Sequence, residues 1–259
     1  MSSKESLGKT LSVVVGVCLA CSIVVSVAAV GLRPTQQANA LLDKQKNILA
    51  VSGIEIGNQK MADVFAKNIE ARVIDLATGE YSDAVDANNY DPLAAAKDPA
   101  QSVKLTPEQA FAGFSSRESL GLVYLVKNDQ GDLERVIVPV RGAGLWAMMY
   151  AFVAVQPDGN TVDGITYYQH GETPGLGGEV DNPMWKALWP GKKLFDEQGQ
   201  PAIKIVKGGA TQGDTHGVDG LSGATLTGAG IQKTFDFWLS EDGYGTYLKK
   251  LGKGELNNG

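Results

Sequence analysis

One short stretch of the sequence, residues 219–227, places hydroxyl side chains and glycines directly before an apolar helical pattern. Ile231, Phe235 and Trp238 recur after it at helical spacing, which predicts that the stretch forms the N-terminus of a helix. The free backbone N–H groups and the dipole of such a terminus favour a phosphate. The hydroxyl of Thr225 could therefore carry a phosphoryl group or simply cap the helix, and the residues alone favour the cap.

The composition argues against several other kinds of site. The chain has 259 residues and a formal charge of −6 without a run of basic residues, which argues against binding to nucleic acid. Its two cysteines, Cys18 and Cys21, lie near the N-terminus, where we expect them to act as small apolar residues. The rest of the chain offers no thiolate ligand and only two histidines. We therefore expect no metal site in this chain.

Residues 11–32 contain no charged side chain and consist mainly of Val, Ala, Leu and Ile. At ~1.5 Å of rise per residue, such a run is long enough to cross a hydrocarbon core of ~30 Å as a helix. Arg33 and Pro34 are expected to end it. A cleaved signal peptide is the alternative, because Ala38-Asn39-Ala40 resembles a cleavage site, but signal cores usually span only ~7–15 residues. We therefore expect an uncleaved single-pass anchor.

The pattern after the anchor predicts both helices and strands. Helical spacing occurs in residues 35–50 and 59–69, whereas residues 87–99 are expected to form a surface loop. Strands are predicted at 120–127, 134–141, 148–156, 162–170 and 203–207, and further helices at 183–188, 227–239 and 244–251. Short turns between successive strands favour antiparallel hairpins. The predicted fold class is α+β, a twisted antiparallel sheet flanked by helices, with one N-terminal transmembrane helix.

The motif Asp219-Gly220-Leu221-Ser222-Gly223-Ala224-Thr225 closely resembles the Asp-x-x-Ser/Thr-Gly-Ala-Thr flavinylation motif of the FMN-binding domain family. In that family a flavin transferase takes FMN from FAD and joins its phosphate to the last threonine. The resemblance implies that Thr225 carries FMN as a phosphoester. Thr227 lies two residues beyond the threonine of the motif and is not the expected acceptor.

A second stretch, His170-Gly171-Glu172-Thr173-Pro174-Gly175-Leu176-Gly177, resembles the His-x-Glu-Thr-Pro-Gly-Leu-Gly block of the same family. Its Pro-Gly pair favours a turn that presents backbone amides, and Leu176 offers an apolar surface for a ring. An ordinary Pro-Gly hairpin connection is the alternative. Two family blocks in the expected order favour a cofactor site instead.

The rest of the chain resembles the C subunits of sodium-translocating NADH:quinone oxidoreductases, including the N-terminal span and the segments 141–146 and 181–185. The G subunits of Rnf electron-transport complexes are the related alternative, because they share both site blocks. The resemblance implies a covalent-FMN electron carrier in a respiratory complex that oxidises NADH, reduces ubiquinone and pumps sodium. The resemblance further implies that the isolated chain would have no catalytic residues and no complete activity. A membrane-tethered binding domain without a cofactor and a secreted flavoprotein are further alternatives.

The same resemblance implies partners and a location. The partners would be the other membrane and soluble subunits of the complex, membrane lipid and the flavin transferase. The location would be the bacterial inner membrane, with residues 1–10 in the cytoplasm, residues 11–32 in the bilayer and an FMN-binding domain, residues 33–259, on the periplasmic side. The charges that flank the span are nearly balanced and leave the orientation open.

Further flavin contacts are expected from residues near the two blocks. Lys207 could stabilise the phosphate or the reduced flavin anion, or it could be a solvated strand-end lysine. Leu145 and Trp146 could pack against the isoalloxazine ring, and Glu172 could bind the flavin or nearby backbone. The expected cofactor-binding residues are Leu145, Trp146, Glu172, Thr173, Leu176, Gly177, Lys207, Ser222, Gly223, Ala224 and Thr225.

Overall fold

The structure, a computed structural model, describes residues 7–256. Residues 1–6 of the expected N-terminal segment 1–10 lie outside the described residues, as do residues 257–259 at the end of the expected domain 33–259. The chain divides into two units, Met1–Lys44 and Gln45–Gly259.

The N-terminal helix is longer than the sequence predicts. α1 runs from Leu7 to Val51 with Pro34 inside it, so the expectation that Arg33 and Pro34 end the helix is wrong. A proline within a helix removes one hydrogen bond and costs about 3 kcal/mol. The Ala-, Leu- and Gln-rich residues that follow Pro34 favour the helix and offset this cost. The apolar part of α1 is exposed, and its length and composition suit a membrane span.

The described residues contain further helices and nine strands. The helices after α1 are α2 (Met61–Asn68), α3 (Pro92–Ala95), α4 (Pro183–Lys186), α5 (Thr225–Trp238) and α6 (Gly245–Lys253). The strands are β1 (Ile69–Asp75), β2 (Ser102–Lys104), β3 (Ser116–Glu118), β4 (Leu120–Lys127), β5 (Leu133–Ala143), β6 (Met148–Val155), β7 (Val162–Gln169), β8 (Lys204–Val206) and β9 (Gly217–Asp219).

A five-stranded sheet forms the centre of the second unit. Its order is β1-β4-β5-β6-β7, and every neighbouring pair is antiparallel. Gly131 and Gly159 adopt positive φ angles of 89° and 66° in the turns that join β4 to β5 and β6 to β7. Such turns allow a direct hairpin return. The predicted α+β class with an antiparallel sheet is therefore confirmed.

Both faces of this sheet are covered. Alternate residues of β4 point to opposite faces, so that Val123 and Leu125 belong to one hydrophobic cluster and Leu122 and Tyr124 belong to the other. The first cluster includes the buried face of α5, and the second includes Ile48 and Leu49 near the end of α1 and Val64 of α2. Two covered faces explain why the central strands are almost continuously apolar.

Several elements differ from the prediction. The predicted helix 59–69 ends at Asn68, because Ile69 begins β1 and pairs with Val126 of β4. The predicted surface loop 87–99 contains α3, whose first turn is capped by Asp91 through its Oδ1 atom. The predicted strand 203–207 is shorter in the structure, where β8 spans only Lys204–Val206. It pairs in parallel with β9 in a separate two-stranded sheet.

A buried ion pair lies in the core between the sheet and α5. Two guanidinium nitrogens of Arg141 donate to the two carboxylate oxygens of Glu118, at 2.9 and 2.6 Å. The side chains are 9% and 2% exposed, and the rings of Phe114 and Trp238 lie beside the guanidinium. Burial disfavours the charge on Arg141, but the hydrogen bonds and charge of Glu118 outweigh burial and raise the pKa of Arg141. This pair fixes the end of β5, where the strand approaches α5.

We expect the Arg141→Met substitution to destabilise the fold by about 3–5 kcal/mol, because it leaves the carboxylate of Glu118 buried without its partner. For a domain of this size, such a loss lowers the Tm by roughly 10 °C. Thermal unfolding of the full chain in detergent measures the effect. The double substitution Arg141→Met with Glu118→Leu should recover most of the loss. Asp129→Ala, which breaks the exposed pair with Lys67, is the control and should change little.

Candidate functional site

The first turn of α5 lies beside a cavity of about 640 Å³. Thr225 is the first residue of the helix and is exposed, and it lines this cavity with Ser222, Gly223 and Ala224. Ala224 occupies the N-cap position and supplies no side-chain cap. The alternative that Thr225 merely caps the helix is therefore wrong. The volume is within the range of small-molecule sites, about 300–1,000 Å³.

Lys207 and two glycines form another part of the cavity wall. Lys207 follows β8 and is exposed, and Gly208 and Gly209 continue the wall with positive φ angles of 85° and 101°. Residues without a β-carbon adopt this backbone without strain. Asp219 holds the turn, because its Oδ1 atom accepts a hydrogen bond from the N–H of Ala210 at 2.7 Å. The glycine turn thus leaves the lysine on an open wall near Thr225.

The side chain of Gln232 connects this wall to α5. Its Oε1 atom accepts from the N–H of Ile205 at 2.8 Å, and its Nε2 atom donates to the carbonyl of Ile203 at 2.9 Å. Gln232 therefore joins the chain around β8 to the helix that carries Thr225. The sequence prediction missed this residue, and no pattern in the sequence distinguishes it from other polar residues of α5.

A buried carboxylate lies near the first turn of α5. Glu172 accepts hydrogen bonds from the N–H groups of Leu145 and Trp146 at Oε1, both at 3.0 Å, and from the hydroxyl of Thr227 at Oε2, at 2.5 Å. Glu172 is 6% exposed and Thr227 is 1% exposed. We call these four residues the Glu172 cluster. The cluster joins the loop after β7, the turn between β5 and β6, and the first turn of α5.

The loop after β7 is held by its own hydrogen bonds. The carbonyl of Thr173 accepts from the N–H groups of Leu176 and Gly178, at 3.1 and 3.0 Å. His170 accepts from the N–H of Glu172 at Nδ1, at 3.2 Å, which leaves its Nε2 atom to donate to Asp181 at 2.9 Å. The loop is therefore a closed turn on the β7 side of the site. Thr173 contributes to it through its backbone.

Large apolar side chains remain exposed around the first turn of α5. Trp146 is 70% exposed, Leu226 63%, Leu145 46% and Leu176 44%. Leu176 reaches Gly223, where a β-carbon would lie 3.1 Å from its Cδ2 atom. The sequence prediction missed Leu226. This apolar residue lies outside the apolar face of the helical pattern, and that position could have marked it as a candidate binding residue. Clusters of exposed apolar residues commonly mark binding surfaces.

The residues predicted from the sequence thus lie in two groups. Lys207, Ser222, Gly223, Ala224 and Thr225 line the cavity. Leu145, Trp146, Glu172, Thr173, Leu176 and Gly177 belong to the turn and loop that meet at the Glu172 cluster. Both groups adjoin the first turn of α5.

The arrangement fits FMN. An uncapped N-terminus of a 14-residue helix suits a phosphate, a nearby lysine suits an anion, and exposed Leu and Trp side chains suit a flat aromatic ring. The cavity is large enough for part of such a molecule.

Comparison with protein families and curated relatives identifies the group to which the chain is related. Residues 144–240 match the FMN-binding domain family. Over 260 aligned residues, the chain is 60% identical to the C subunit of the Na(+)-translocating NADH-quinone reductase of Vibrio parahaemolyticus, with 99% of both chains covered. It is 48% identical to the corresponding C subunit of Pasteurella multocida, again with 99% of both chains covered.

A solved structure shows the same relationship. The crystal structure of Shewanella oneidensis NqrC is 40% identical, with a TM-score of 0.75, and the match covers 81% of this chain and 96% of that one. The chain is thus well above 30% identical to C subunits over almost its full length, and it shares the fold of one of them. The chain belongs to the family of Na(+)-translocating NADH-quinone reductase C subunits.

Proposed function

We propose that this chain is the FMN-carrying electron-transfer subunit of a sodium-translocating NADH:quinone reductase, with the FMN joined to Thr225 through a phosphoester. The observation that carries the proposal is the position of Thr225, whose exposed hydroxyl begins α5 beside the cavity. The chain also belongs to the C-subunit family and matches the FMN-binding domain family, which supports an FMN-binding role in that complex.

Attachment at Thr225 requires one transfer from FAD. Thr225 would supply its Oγ1 atom as the acceptor of the FMN phosphoryl group of FAD, with AMP as the leaving group and loss of the hydroxyl proton. A flavin transferase would catalyse this step. The N–H groups and dipole of the α5 terminus stabilise the negative charge on the phosphate that remains.

Bound FMN supplies one-electron redox chemistry, and the chain's own residues would orient and tune it. The side chains of Leu145, Trp146 and Leu176 would pack against the ring and exclude water from that face. Lys207 would place a positive charge near the phosphate or the reduced ring. Thr173 and Gly177 would shape the loop that holds Leu176. No complete NADH:quinone activity is expected from the chain alone, because its site holds one carrier.

The N-terminal helix supports a membrane location. α1 contains an exposed apolar stretch that is long enough to span a bilayer, which fits anchoring of a subunit of this complex. We further propose that residues 11–32 lie in the bacterial inner membrane and contact lipid, with residues 1–10 in the cytoplasm. Residues 33–259 would form the FMN-binding domain on the periplasmic side. The partners would be the other subunits of the complex.

An Rnf-type subunit, a tethered domain without cofactor and a secreted flavoprotein are the competing functions. The sodium-translocating complex is preferred because relatives with that name match 99% of this chain, including the N-terminal helix. The exposed apolar side chains around Thr225 favour a bound cofactor over a tethered domain without one.

Purified full-length chain from a host that contains the transferase should gain a mass equal to FMN minus one water. We expect Thr225→Ala to abolish this gain, because it removes the acceptor oxygen. Intact mass spectrometry and flavin fluorescence of the denatured chain on a gel measure the adduct. Thr211→Ala, which removes an exposed hydroxyl outside the motif and the cavity wall, is the control and should keep the adduct. A chain without the mass gain in that host would contradict the proposal.

We expect Lys207→Met to lower the reduction potential of the bound flavin, because it removes a positive charge that stabilises the reduced anion. For one nearby unit charge in a partly solvated site, the effect is on the order of 1 kcal/mol, a few tens of millivolts for one electron. Spectroelectrochemical titration of the full chain measures it. Lys204→Met, which changes an exposed lysine of β8 that does not line the cavity, is the matched control and should leave the potential unchanged. Equal shifts in both variants would argue against a role for Lys207.

The proposed orientation can be tested by thiol labelling, because the chain has no cysteine after Cys21. We expect Glu197→Cys, which changes an exposed residue of the second unit, to react with a membrane-impermeant maleimide in spheroplasts. Thr10→Cys should react only after lysis. Labelling in the opposite order would contradict a periplasmic domain.

A further inference from the structure

The Glu172 cluster uses both oxygens of the carboxylate. Oε1 accepts from the N–H groups of Leu145 and Trp146, and Oε2 accepts from the hydroxyl of Thr227. The three donors come from parts of the chain that are distant in sequence from Glu172. A buried carboxylate is stable only when such donors replace its water. The bonds therefore hold Glu172 and its neighbours in one arrangement.

Two glycines leave room for this arrangement. A β-carbon on Gly144 would lie 2.5 Å from Oε1 of Glu172, and one on Gly177 would lie 2.5 Å from Oε2 and 2.6 Å from the Oγ1 atom of Thr227. Real β-carbons do not approach other atoms so closely. The carboxylate is therefore enclosed on both sides by backbone, which limits the positions open to its side chain.

Helix α5 is also seated tightly on the end of β5. A β-carbon on Gly230 would lie 2.2 Å from the carbonyl oxygen of Ala143, and one on Gly142 would lie 2.0 Å from the Oγ1 atom of Thr234. The turn that carries Leu145 and Trp146 begins directly after this contact. The helix and the end of the strand are thus fixed, and the Glu172 cluster supplies hydrogen bonds between the turn itself and the helix.

We propose that Glu172 and Thr227 are positioning residues, which hold the exposed segment Leu145–Trp146 in a fixed place relative to Thr225 and thereby set the orientation of the flavin. The inference rests on the proposed function, because it assumes a flavin on Thr225. Glu172 then acts through the turn and through Thr227, without contact to the flavin. Thr227 serves this purpose with a hydroxyl that is buried and already bonded, in contrast to the exposed hydroxyl of Thr225.

Three substitutions in α5 and one in the loop after β7 test the inference. Thr227→Val removes the hydroxyl that bonds Glu172 while keeping the shape of the side chain, and Thr227→Ser retains it. Thr234→Val is the matched control, because Thr234 is also buried in α5 but donates to the carbonyl of Gly230 in its own helix. Glu172→Gln is the second variant, which keeps the shape of Glu172 but removes its charge.

Three measurements are made on the full chain in detergent. Intact mass reports the adduct, and circular dichroism at visible wavelengths reports the surroundings of the flavin. Hydrogen exchange of the Leu145 and Trp146 amides reports the cluster itself, and it is measured also in a Thr225→Ala background. If flavin attachment fails, the mass shows it. The exchange rates in the Thr225→Ala background still test the cluster, because they do not require a bound flavin.

We expect Thr227→Val and Glu172→Gln to change the visible circular dichroism and to accelerate exchange at Leu145 and Trp146 by roughly tenfold, the factor for loss of a hydrogen bond to a charged group. Thr227→Ser should restore both signals, and Thr234→Val should leave them as in the unsubstituted chain. Unchanged exchange in Thr227→Val and Glu172→Gln would overturn the inference. The same changes in Thr234→Val would also overturn it, because they would reflect a general loosening of α5.

Discussion

The site depends on the hydrogen bonds that surround one buried carboxylate. Removing Glu172 from water has a large electrostatic cost, and the two backbone N–H groups and the hydroxyl of Thr227 offset that cost. Because the donors come from the β5–β6 turn and from α5, satisfying the carboxylate also fixes these segments relative to one another. The same bonds that make burial possible therefore build the surface on which a flavin can lie.

The antiparallel sheet brings these segments together. The β5–β6 hairpin carries Leu145 and Trp146, β7 leads into the loop of Glu172, and α5 packs against the end of β5. The Arg141–Glu118 pair stabilises that end of β5 within the core. The groups that we propose to contact the flavin thus lie on short turns, and these turns are held by strands and one helix. Such an arrangement suits an electron carrier, whose ring must keep a constant environment while its charge changes.

The sequence predicts the central fold well. β4, β5, β6 and β7 lie within one or two residues of their predicted bounds, because each apolar run is bounded by turn residues. The strand β1 was missed because its mixture of polar and apolar residues follows directly on a helical pattern, and only its pairing with β4 makes it a strand. The continuity of α1 through Pro34 was missed because proline is usually a helix terminator.

The candidate site is predictable in part. The start of α5 at Thr225 follows from local pattern to within two residues. The hydrogen bonds of Glu172 do not follow from the local sequence pattern, because its partners lie 26, 27 and 55 residues away and no periodicity connects them. The parallel pairing of β8 with β9, which forms the cavity wall near Lys207, likewise depends on distant contacts.

We propose that the flavin phosphate is carried by Thr225 and by no other hydroxyl of this region. Trypsin should release residues 208–233 as one peptide, which contains Ser222, Thr225 and Thr227. Fragmentation of this peptide by electron transfer, which leaves the phosphoester intact, locates the modification by residue. We expect the flavin phosphate on Thr225 alone. A modification on Ser222 or Thr227, or an unmodified peptide from a host with the transferase, would contradict it.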